Sequence, residues 1–240
     1  MNIEGSKINR EHWEKRFEEG YGEGLETSPY LMGFFEKYKD EVGTDILDIG
    51  SGEGRHLVPL AKRGFKLTGV EITNAGSRTT RNKLDNENIF AGVVQADFKN
   101  LPFKDRTFDT VFSVDAMHHN DWAGATQAFG EAARVLKPGG LFFLRVNSTS
   151  RILPEHSHPL EEAEEPEANS GVTFLRDREM KDGSISPQLM HAFSLEELSG
   201  LAKGNGLEIA DKPVEETKPG QPGHWNIVFR KARNHERHVY

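Results

Sequence analysis

Three glycines within five positions follow an apolar run in the stretch DIGSGEGRH, residues 48–56. Glycine loses more backbone entropy on folding than any other residue, so such a cluster needs a physical reason. Either the backbone turns too tightly for side chains at Gly50, Gly52 and Gly54, or a ligand approaches the main chain closely. A glycine-rich turn between a strand and a helix is typical of nucleotide sites, because helix N–H groups face the ligand.

Acidic side chains lie at the ends of three predicted strands near this turn. Asp48 ends the first strand, Glu71 the second and Asp97 the third. An acid in the position of Glu71 can accept two hydrogen bonds from a ribose diol. Because ligands of open α/β folds bind at the carboxyl ends of the strands, the acids indicate a nucleotide site at that edge.

Alternating strands and helices position these residues. Apolar runs predict five strands in β–α units, at residues 45–49, 65–72, 89–97, 107–115 and 141–146. The run at 107–115 is so continuously apolar that it fits a parallel strand covered on both faces. Two further strands are predicted at 206–214 and 224–231, joined by a Pro- and Gly-rich turn as an antiparallel pair. The pattern predicts a doubly wound α/β fold with a seven-stranded, mostly parallel sheet and an antiparallel last strand.

The composition divides the chain into parts. Residues 1–43 precede the first strand and are predicted to form a helical lead-in or cap. Residues 44–240 form the predicted main domain, and SLEE at 194–197 has the capping-box pattern of a helix start. Residues 151–190 are predicted to be a lid or insertion over the pocket, since the segment 155–167 holds six glutamates and two prolines.

Charge and cysteine content narrow the function classes. The 240 residues carry 30 Lys and Arg against 38 Asp and Glu, a balance that argues against a nucleic-acid partner. The chain has no cysteine, which excludes disulfides, zinc–thiolate sites and cysteine nucleophiles and fits a reducing compartment. No apolar stretch approaches the roughly 20 residues that cross a bilayer, and the charged start is not a signal peptide. We expect a cytoplasmic protein without a membrane partner, and the oligomeric state stays open.

The motifs ILDIGSGEGRH, GVEIT, QADF and VLKPGG, in this order, resemble those of class I S-adenosylmethionine-dependent methyltransferases over residues 44–147. The resemblance implies a Rossmann-like methyltransferase fold with S-adenosyl-L-methionine as cofactor. It also implies that the methionine portion is held by Asp48 and by the main chain around Gly50, Ser51 and Gly52. The stretch around Asp115 would then border the sulfonium.

The other end of the cofactor is assigned by the same resemblance. Glu71 would bind the ribose hydroxyls, and Ile72 would lie against the adenine. Asp97 would accept a hydrogen bond from the adenine amino group, and the main chain at Phe98 would meet the ring. Since the cofactor carries two positive charges, a sulfonium and an ammonium, an acidic edge suits it.

Methyl transfer to a small molecule is the predicted activity, by in-line displacement. The donor is activated by its own charge, so the protein mainly positions the reactants and excludes water, and a base is needed only for an acceptor that holds its proton. His118 and His119 follow the fourth strand and are predicted to act as base or positioning group. No metal site is predicted. After that strand the sequence reads HHND, without the PPY of amino-methylating nucleic-acid enzymes, which favours a small-molecule acceptor.

Two alternatives stay open from the sequence. An NAD(P)-dependent oxidoreductase would carry the third glycine of its G-x-G-x-x-G loop at position 55, where the chain has Arg55. A sensor or partner protein that binds the cofactor without chemistry has the same fold and the same motifs, and only an assay separates it from an enzyme.

Overall fold

A computed structural model describes residues 5–151, 157–159, 171–219, 221 and 223–233. The helices are α1 (Gly5–Glu18), α2 (Pro29–Lys37), α3 (Leu57–Lys62), α4 (Asn74–Asn86), α5 (Trp122–Val135) and α6 (Leu195–Gly204). The first strands are β1 (Asp45–Ile49), β2 (Lys66–Glu71), β3 (Gly92–Gln95), β4 (Phe108–Val114) and β5 (Leu136–Asn147). The later strands are β6 (Ser157–Pro159), β7 (Val172–Glu179), β8 (Ile185–Ala192), β9 (Leu207–Ile209), β10 (Val214–Glu216) and β11 (His224–Lys231).

The main sheet has the strand order β3-β2-β1-β4-β5-β11-β10, and β9 also pairs with β11. Strands β1 to β5 run parallel to one another, whereas β11 runs antiparallel to β5, β9 and β10. The chain order reverses between β1 and β4, which is where open α/β sheets bind their ligands. The predicted α/β fold class is confirmed.

Both faces of the sheet are covered by helices. One buried cluster joins the sheet to α5 and α6, with Phe129, Phe142 and Phe229 in mutual ring contact at 5.4 to 5.7 Å. A second cluster joins the opposite face to α2 and α3 through Phe34, Phe35 and Leu57 among others. Burial on both sides explains why the β4 sequence is apolar without alternation.

The C-terminal strands differ in one respect from the sequence prediction. The single strand predicted at 206–214 is wrong, because the structure has two short strands, β9 and β10, with residues 210–213 between them. Pro213 lacks an N–H group and cannot donate to a ladder, which accounts for the break. Since β9 and β10 pair with opposite ends of β11, together they occupy one strand position. The predicted capping box of α6 is confirmed by the Ser194 and Glu197 hydrogen bonds.

A second sheet of three antiparallel strands, β6, β7 and β8, lies within the segment predicted as a lid or insertion. Strand β8 packs against α1, so the hairpin of β7 and β8 meets the N-terminal helix. Of the acidic segment 155–167, only residues 157–159 are among the described residues. The division into a lead-in, a main domain and a lid stays a prediction.

Candidate functional site

The glycine turn after β1 serves two purposes. All three glycines have positive φ, at +75° for Gly50, +54° for Gly52 and +79° for Gly54. A Cβ on Gly50 would lie 2.3 Å from the Ala116 Cβ, so this glycine allows two loops to pack together. A Cβ on Gly52 would lie 3.1 Å from the Phe17 ring, at the wall of a cleft. The turn is therefore tight at Gly50, where another loop packs against it, and open to a ligand at Gly52, which lies at the cleft wall.

This cleft lies at the carboxyl edge of the sheet beside the ends of β1 and β4. Its lining includes most of the residues predicted from the sequence: Gly50, Ser51, Gly52, Glu71, Ile72, Asp97, Phe98, Asp115 and His119. Two predicted residues, Asp48 and His118, are buried behind the lining. The roles assigned to all of them stay proposals.

Glu71 ties the glycine turn to the start of α4. One carboxylate oxygen accepts hydrogen bonds from the Thr73 N–H at 2.8 Å and the Thr73 hydroxyl at 2.7 Å, and the other accepts from the Gly52 N–H at 3.0 Å. Burial raises the pKa of Glu71, and these hydrogen bonds offset part of the rise because they favour the carboxylate. The carboxyl group is thus held in place by the main chain at the wall of the cleft.

Asp48 lies beneath the turn and is 1% exposed. Its Oδ2 has no hydrogen-bond partner, and neither has the buried Ser51 hydroxyl. Burial raises the pKa of Asp48 to about 8, with the negative charge of Glu71 adding to the rise and Arg55 opposing it. A buried acid with an unsatisfied oxygen is costly unless a donor or a cation joins it. The site therefore suits a cationic ligand.

We expect binding of a cationic cofactor to release a proton from Asp48. In the free protein at pH 7 a carboxyl group with a pKa of about 8 is mostly protonated, and a nearby ammonium or sulfonium favours its ionised form. Titration calorimetry with S-adenosylmethionine at pH 7, in buffers of different ionisation enthalpy, should report release of close to one proton. Asp48→Asn should abolish that release, and an equal release in the variant would contradict the assignment.

The raised pKa of Asp48 also makes the stability of the free protein depend on pH. Between the ordinary value of 3.8 and about 8, folded Asp48 binds more protons than the unfolded chain does. Its contribution to the free energy of unfolding therefore falls as the pH rises through this window.

Asp115 stands at the end of β4 in a strained conformation, with φ at +56°. Its carboxylate pairs with Arg145 at 2.9 Å and with Arg55 at 3.2 Å. Burial works against its ionisation, but the positive charges of Arg145, His224 and Arg55 hold the pKa of Asp115 below its usual range. Non-glycine residues at positive φ cluster at functional sites. Here the ion pair holds Arg55, a cleft residue, beside the glycine turn.

Asp97 follows β3 and starts a turn. Its carboxylate accepts the Lys99 N–H at 2.9 Å, and the Lys99 Nζ lies 3.8 Å away. Turn formation and ligand contact are compatible, because a carboxylate has about four acceptor positions. Asp97 and Phe98 line the same cleft as Ile72.

The two candidate histidines occupy different environments. His118 is fully enclosed, and its Nδ1 accepts the Asn147 N–H at 3.3 Å. His119 lines the cleft, and its buried Nδ1 has no hydrogen-bond partner. Burial is the main cause that lowers the pKa of both rings well below 6.5, and nearby histidines add to it. Both imidazoles are therefore neutral at pH 7.

Helix α1 and the turn after it cover the cleft, as the predicted helical cap at residues 1–43 would, and they add side chains to its lining. Asn9, Arg10 and Phe17 line it together with two aromatics, Trp13 and Tyr21. The Trp13 ring lies 4.9 Å from His119 and 5.3 Å from Tyr21. The helix is fixed to the main domain by Glu14, whose carboxylate accepts the Asn74 and Ala75 N–H groups at the start of α4, each at 2.8 Å. Aromatic residues in a charged helix predict such a cover, whereas Asn9 and Arg10 carry no comparable signal in the sequence.

The cleft residues fit S-adenosylmethionine. Glu71 offers a carboxylate for a ribose diol, and the turn of Gly50, Ser51 and Gly52 at the cleft wall, with Asp48 buried behind it, suits a cationic amino-acid portion. Arg55 offers a cation for a carboxylate. Across the described part of the chain, no group of three or more His, Asp and Glu side chains is placed to hold a metal ion.

Part of the sequence is similar to known proteins. Residues 46–140 match the family described as a methyltransferase domain. The chain is 33% identical over 106 residues to a sterol 24-C-methyltransferase of Schizosaccharomyces pombe, covering 42% of this chain and 27% of the relative. It is 32% identical over 119 residues to a demethylmenaquinone methyltransferase of Tropheryma whipplei, covering 49% of this chain and 44% of the relative. The chain thus spans less than half the length of these relatives.

A solved structure supports the fold. The 1,6-didemethyltoxoflavin-N1-methyltransferase of Burkholderia thailandensis has a TM-score of 0.70 and 15% identity, over 97% of this chain and 91% of that chain. Residues 46–140 therefore match a methyltransferase domain, the solved structure has the same fold, and the resemblance noted in the sequence is confirmed. Within the described residues, no helix is both long and apolar enough to span a bilayer.

Proposed function

We propose that the protein transfers the methyl group of S-adenosylmethionine to a small-molecule acceptor. The observation that carries the proposal is the convergence of the glycine turn, Glu71, Asp97 and His119 on one cleft. The family match over residues 46–140 supports the same activity. Two relatives and one structural neighbour are named for methylation of a sterol, demethylmenaquinone and a toxoflavin precursor, which supports a small organic acceptor. A cytoplasmic location is part of the proposal, supported by the absence of cysteine.

When bound, S-adenosylmethionine supplies a methyl group activated by the positive charge on its sulfur. The residues of this chain bind and orient the reactants: Glu71 and Asp97 at the nucleoside end, Asp48 and Arg55 at the amino-acid end. The aromatic side chains of α1 cover the cleft, and their burial of the reactants excludes water. His119 lines the cleft with a neutral ring, and this ring accepts a proton where the acceptor must lose one.

The two histidines should respond differently to substitution. His119→Ala is expected to lower kcat by about 100-fold or more, the usual contribution of a general base, with little change in S-adenosylhomocysteine affinity. His118→Ala should instead lower the free energy of unfolding by about 1–3 kcal/mol, because it leaves the buried Asn147 N–H without an acceptor. Turnover, calorimetry and denaturant unfolding of both variants separate these effects. Undiminished turnover in His119→Ala would remove this residue as the base.

The proposed function is tested by cofactor binding and by product formation. Calorimetry should detect micromolar binding of S-adenosylhomocysteine and none of NADH; the reverse result would support an oxidoreductase. The protein should then be incubated with S-adenosylmethionine labelled in the methyl group and a metabolite extract, and the labelled product identified. Tight binding without any labelled product, across extracts, would support the sensor alternative instead.

A further inference from the structure

Four charged side chains form a continuous line of ion pairs from the cleft to the edge strand β10. Arg55 lines the cleft, and its Nη2 donates to the Asp115 Oδ2 at 3.2 Å. The Asp115 Oδ1 accepts from the Arg145 Nε at 2.9 Å, and the Arg145 Nη1 lies 2.7 Å from the Glu216 Oε2. We call these four residues the charge line. Its charges alternate in sign, and the end at the cleft is a cation.

Arg145 is held firmly inside the charge line. Its side chain is 12% exposed, against 25% for Arg55 and 34% for Asp115. Its Nη1 also donates to the Asn226 Oδ1 at 3.0 Å, and its guanidinium carbon lies 5.5 Å from the centre of the Tyr30 ring. Exposed ion pairs contribute little because water screens them, whereas an enclosed guanidinium with several partners keeps one position. Arg145 is therefore a fixed charge behind the cleft.

Asp115 is bound more closely to Arg145 than to Arg55. Its N–H donates to the Arg145 carbonyl at 3.1 Å, and its carboxylate contact is shorter to Arg145 than to Arg55. Burial works against ionisation of Asp115, and among the positive charges that hold its pKa low Arg145 acts more strongly than Arg55. The negative charge of Asp115 is thus shared between two arginines, with the larger share on Arg145.

This sharing leaves Arg55 with net positive charge at the amino-acid end of the cleft. The charge of Arg55 opposes the rise in the pKa of Asp48, which lies behind the glycine turn. The Arg55 Nε donates to the His56 Nε2 at 3.2 Å, and burial together with Arg55 lowers the pKa of His56 to about 3, so that ring is a neutral acceptor. Two bonds thus orient the guanidinium plane, whose fork matches a carboxylate bidentately.

We propose that Arg145 is a positioning residue for the cofactor: it draws the charge of Asp115 away from Arg55, which then binds the carboxylate of S-adenosylmethionine. This inference rests on the proposed methyltransferase function. Glu216 competes with Asp115 for Arg145 and therefore acts in the opposite direction. Removing the charge of Arg145 should weaken carboxylate binding, and removing the charge of Glu216 should strengthen it. A network that only supports the fold has no reason to give effects of opposite sign.

Calorimetry with two ligands measures the role of Arg145. S-adenosylhomocysteine carries an ammonium and a carboxylate, and its decarboxylated analogue keeps the ammonium alone. Arg145→Gln should weaken binding of S-adenosylhomocysteine by about tenfold and that of the analogue by less than about twofold. Glu216→Gln should tighten binding of S-adenosylhomocysteine by about two- to threefold and leave that of the analogue unchanged. Arg145→Lys restores a cation beside Asp115, so its affinity should lie within about threefold of the wild-type value.

A double variant tests whether Arg145 acts through Arg55. Arg55→Ala should weaken binding of S-adenosylhomocysteine by at least about tenfold. In that background Arg145→Gln should cost no further affinity, because two residues that act as a unit are not additive. Arg230→Gln and Glu41→Gln are matched controls, since they break an ion pair of 2.8 Å at the far end of β11. Neither control should change the affinity for either ligand.

The outcomes separate the inference from the function on which it rests. Equal losses for the two ligands in Arg145→Gln, or additive losses in the double variant, would overturn the proposal. So would an unchanged or lower affinity for S-adenosylhomocysteine in Glu216→Gln, a result that also decides the matter if denaturant unfolding shows that Arg145→Gln does not fold. Failure of the wild type to bind either ligand would count against the methyltransferase function alone.

Discussion

Substitution of Glu71 by alanine is expected to weaken S-adenosylhomocysteine binding by at least about 100-fold, or about 2.7 kcal/mol. A hydrogen bond to a charged group contributes about 1.5–3 kcal/mol, and a ribose diol can make two to this carboxylate. The substitution also frees the Gly52 and Thr73 N–H groups that the carboxylate now holds. Calorimetry with S-adenosylhomocysteine measures the loss directly.

Two comparisons sharpen this measurement. Adenosine affinity should fall with that of S-adenosylhomocysteine, because both carry the ribose, whereas adenine affinity should change little. Glu87→Ala, which removes an exposed carboxylate paired with Lys62, serves as the matched control and should bind normally. A loss below about threefold in Glu71→Ala would show that the ribose is held elsewhere.

The nucleotide edge could be predicted from the sequence because its determinants are local. Gly50 and Gly52 follow one apolar strand, and Glu71 ends the next. Because the strands are parallel, their carboxyl ends meet at one edge of the sheet, where such folds bind ligands. The structure brings these residues to one cleft. The ion pairs of the site were harder to predict. In the sequence, Arg55 stands out only as a departure from the dinucleotide motif, but in the structure it donates a hydrogen bond to Asp115, 60 positions away.

The acceptor side of the cleft was not predictable in the same way. It is built from contacts across more than a hundred residues, such as Asn9 with Leu189 and His12 with Ser186. The β7 and β8 sequences mix charged and apolar residues, because one face meets α1 and holds arginines that a core strand would not carry. The charge composition of residues 151–190 therefore predicted a lid or insertion, but not the hairpin of β7 and β8.

His118 and His119 show the same limit at the scale of neighbouring residues. Both follow β4, and the sequence offered no reason to prefer either as the base. Their difference arises from distant groups: the Asn147 N–H occupies the Nδ1 of His118, while Trp13 of α1 packs against His119. Spacing identifies the neighbourhood of a catalytic group, but its hydrogen-bond partners decide which of two adjacent side chains is available.

Single substitutions in the glycine turn should affect stability at one position and cofactor affinity at another. Gly50→Ala is expected to lower the free energy of unfolding by about 2–4 kcal/mol. The new Cβ would overlap the Ala116 Cβ at 2.3 Å, and a non-glycine residue at φ +75° adds about 1 kcal/mol of strain. Denaturant unfolding measures this loss.

Gly52→Ala should instead cost about 1 kcal/mol of stability, because its nearest neighbour is the edge of the Phe17 ring, which can shift by a few tenths of an ångström. Its methyl group would stand at the cleft wall, so S-adenosylhomocysteine affinity should fall more than tenfold (~1.4 kcal/mol). Gly64→Ala, also at positive φ but with open space around it, controls for backbone strain alone. If Gly52→Ala bound the cofactor product as tightly as Gly64→Ala does, the glycine would serve the turn and not the ligand.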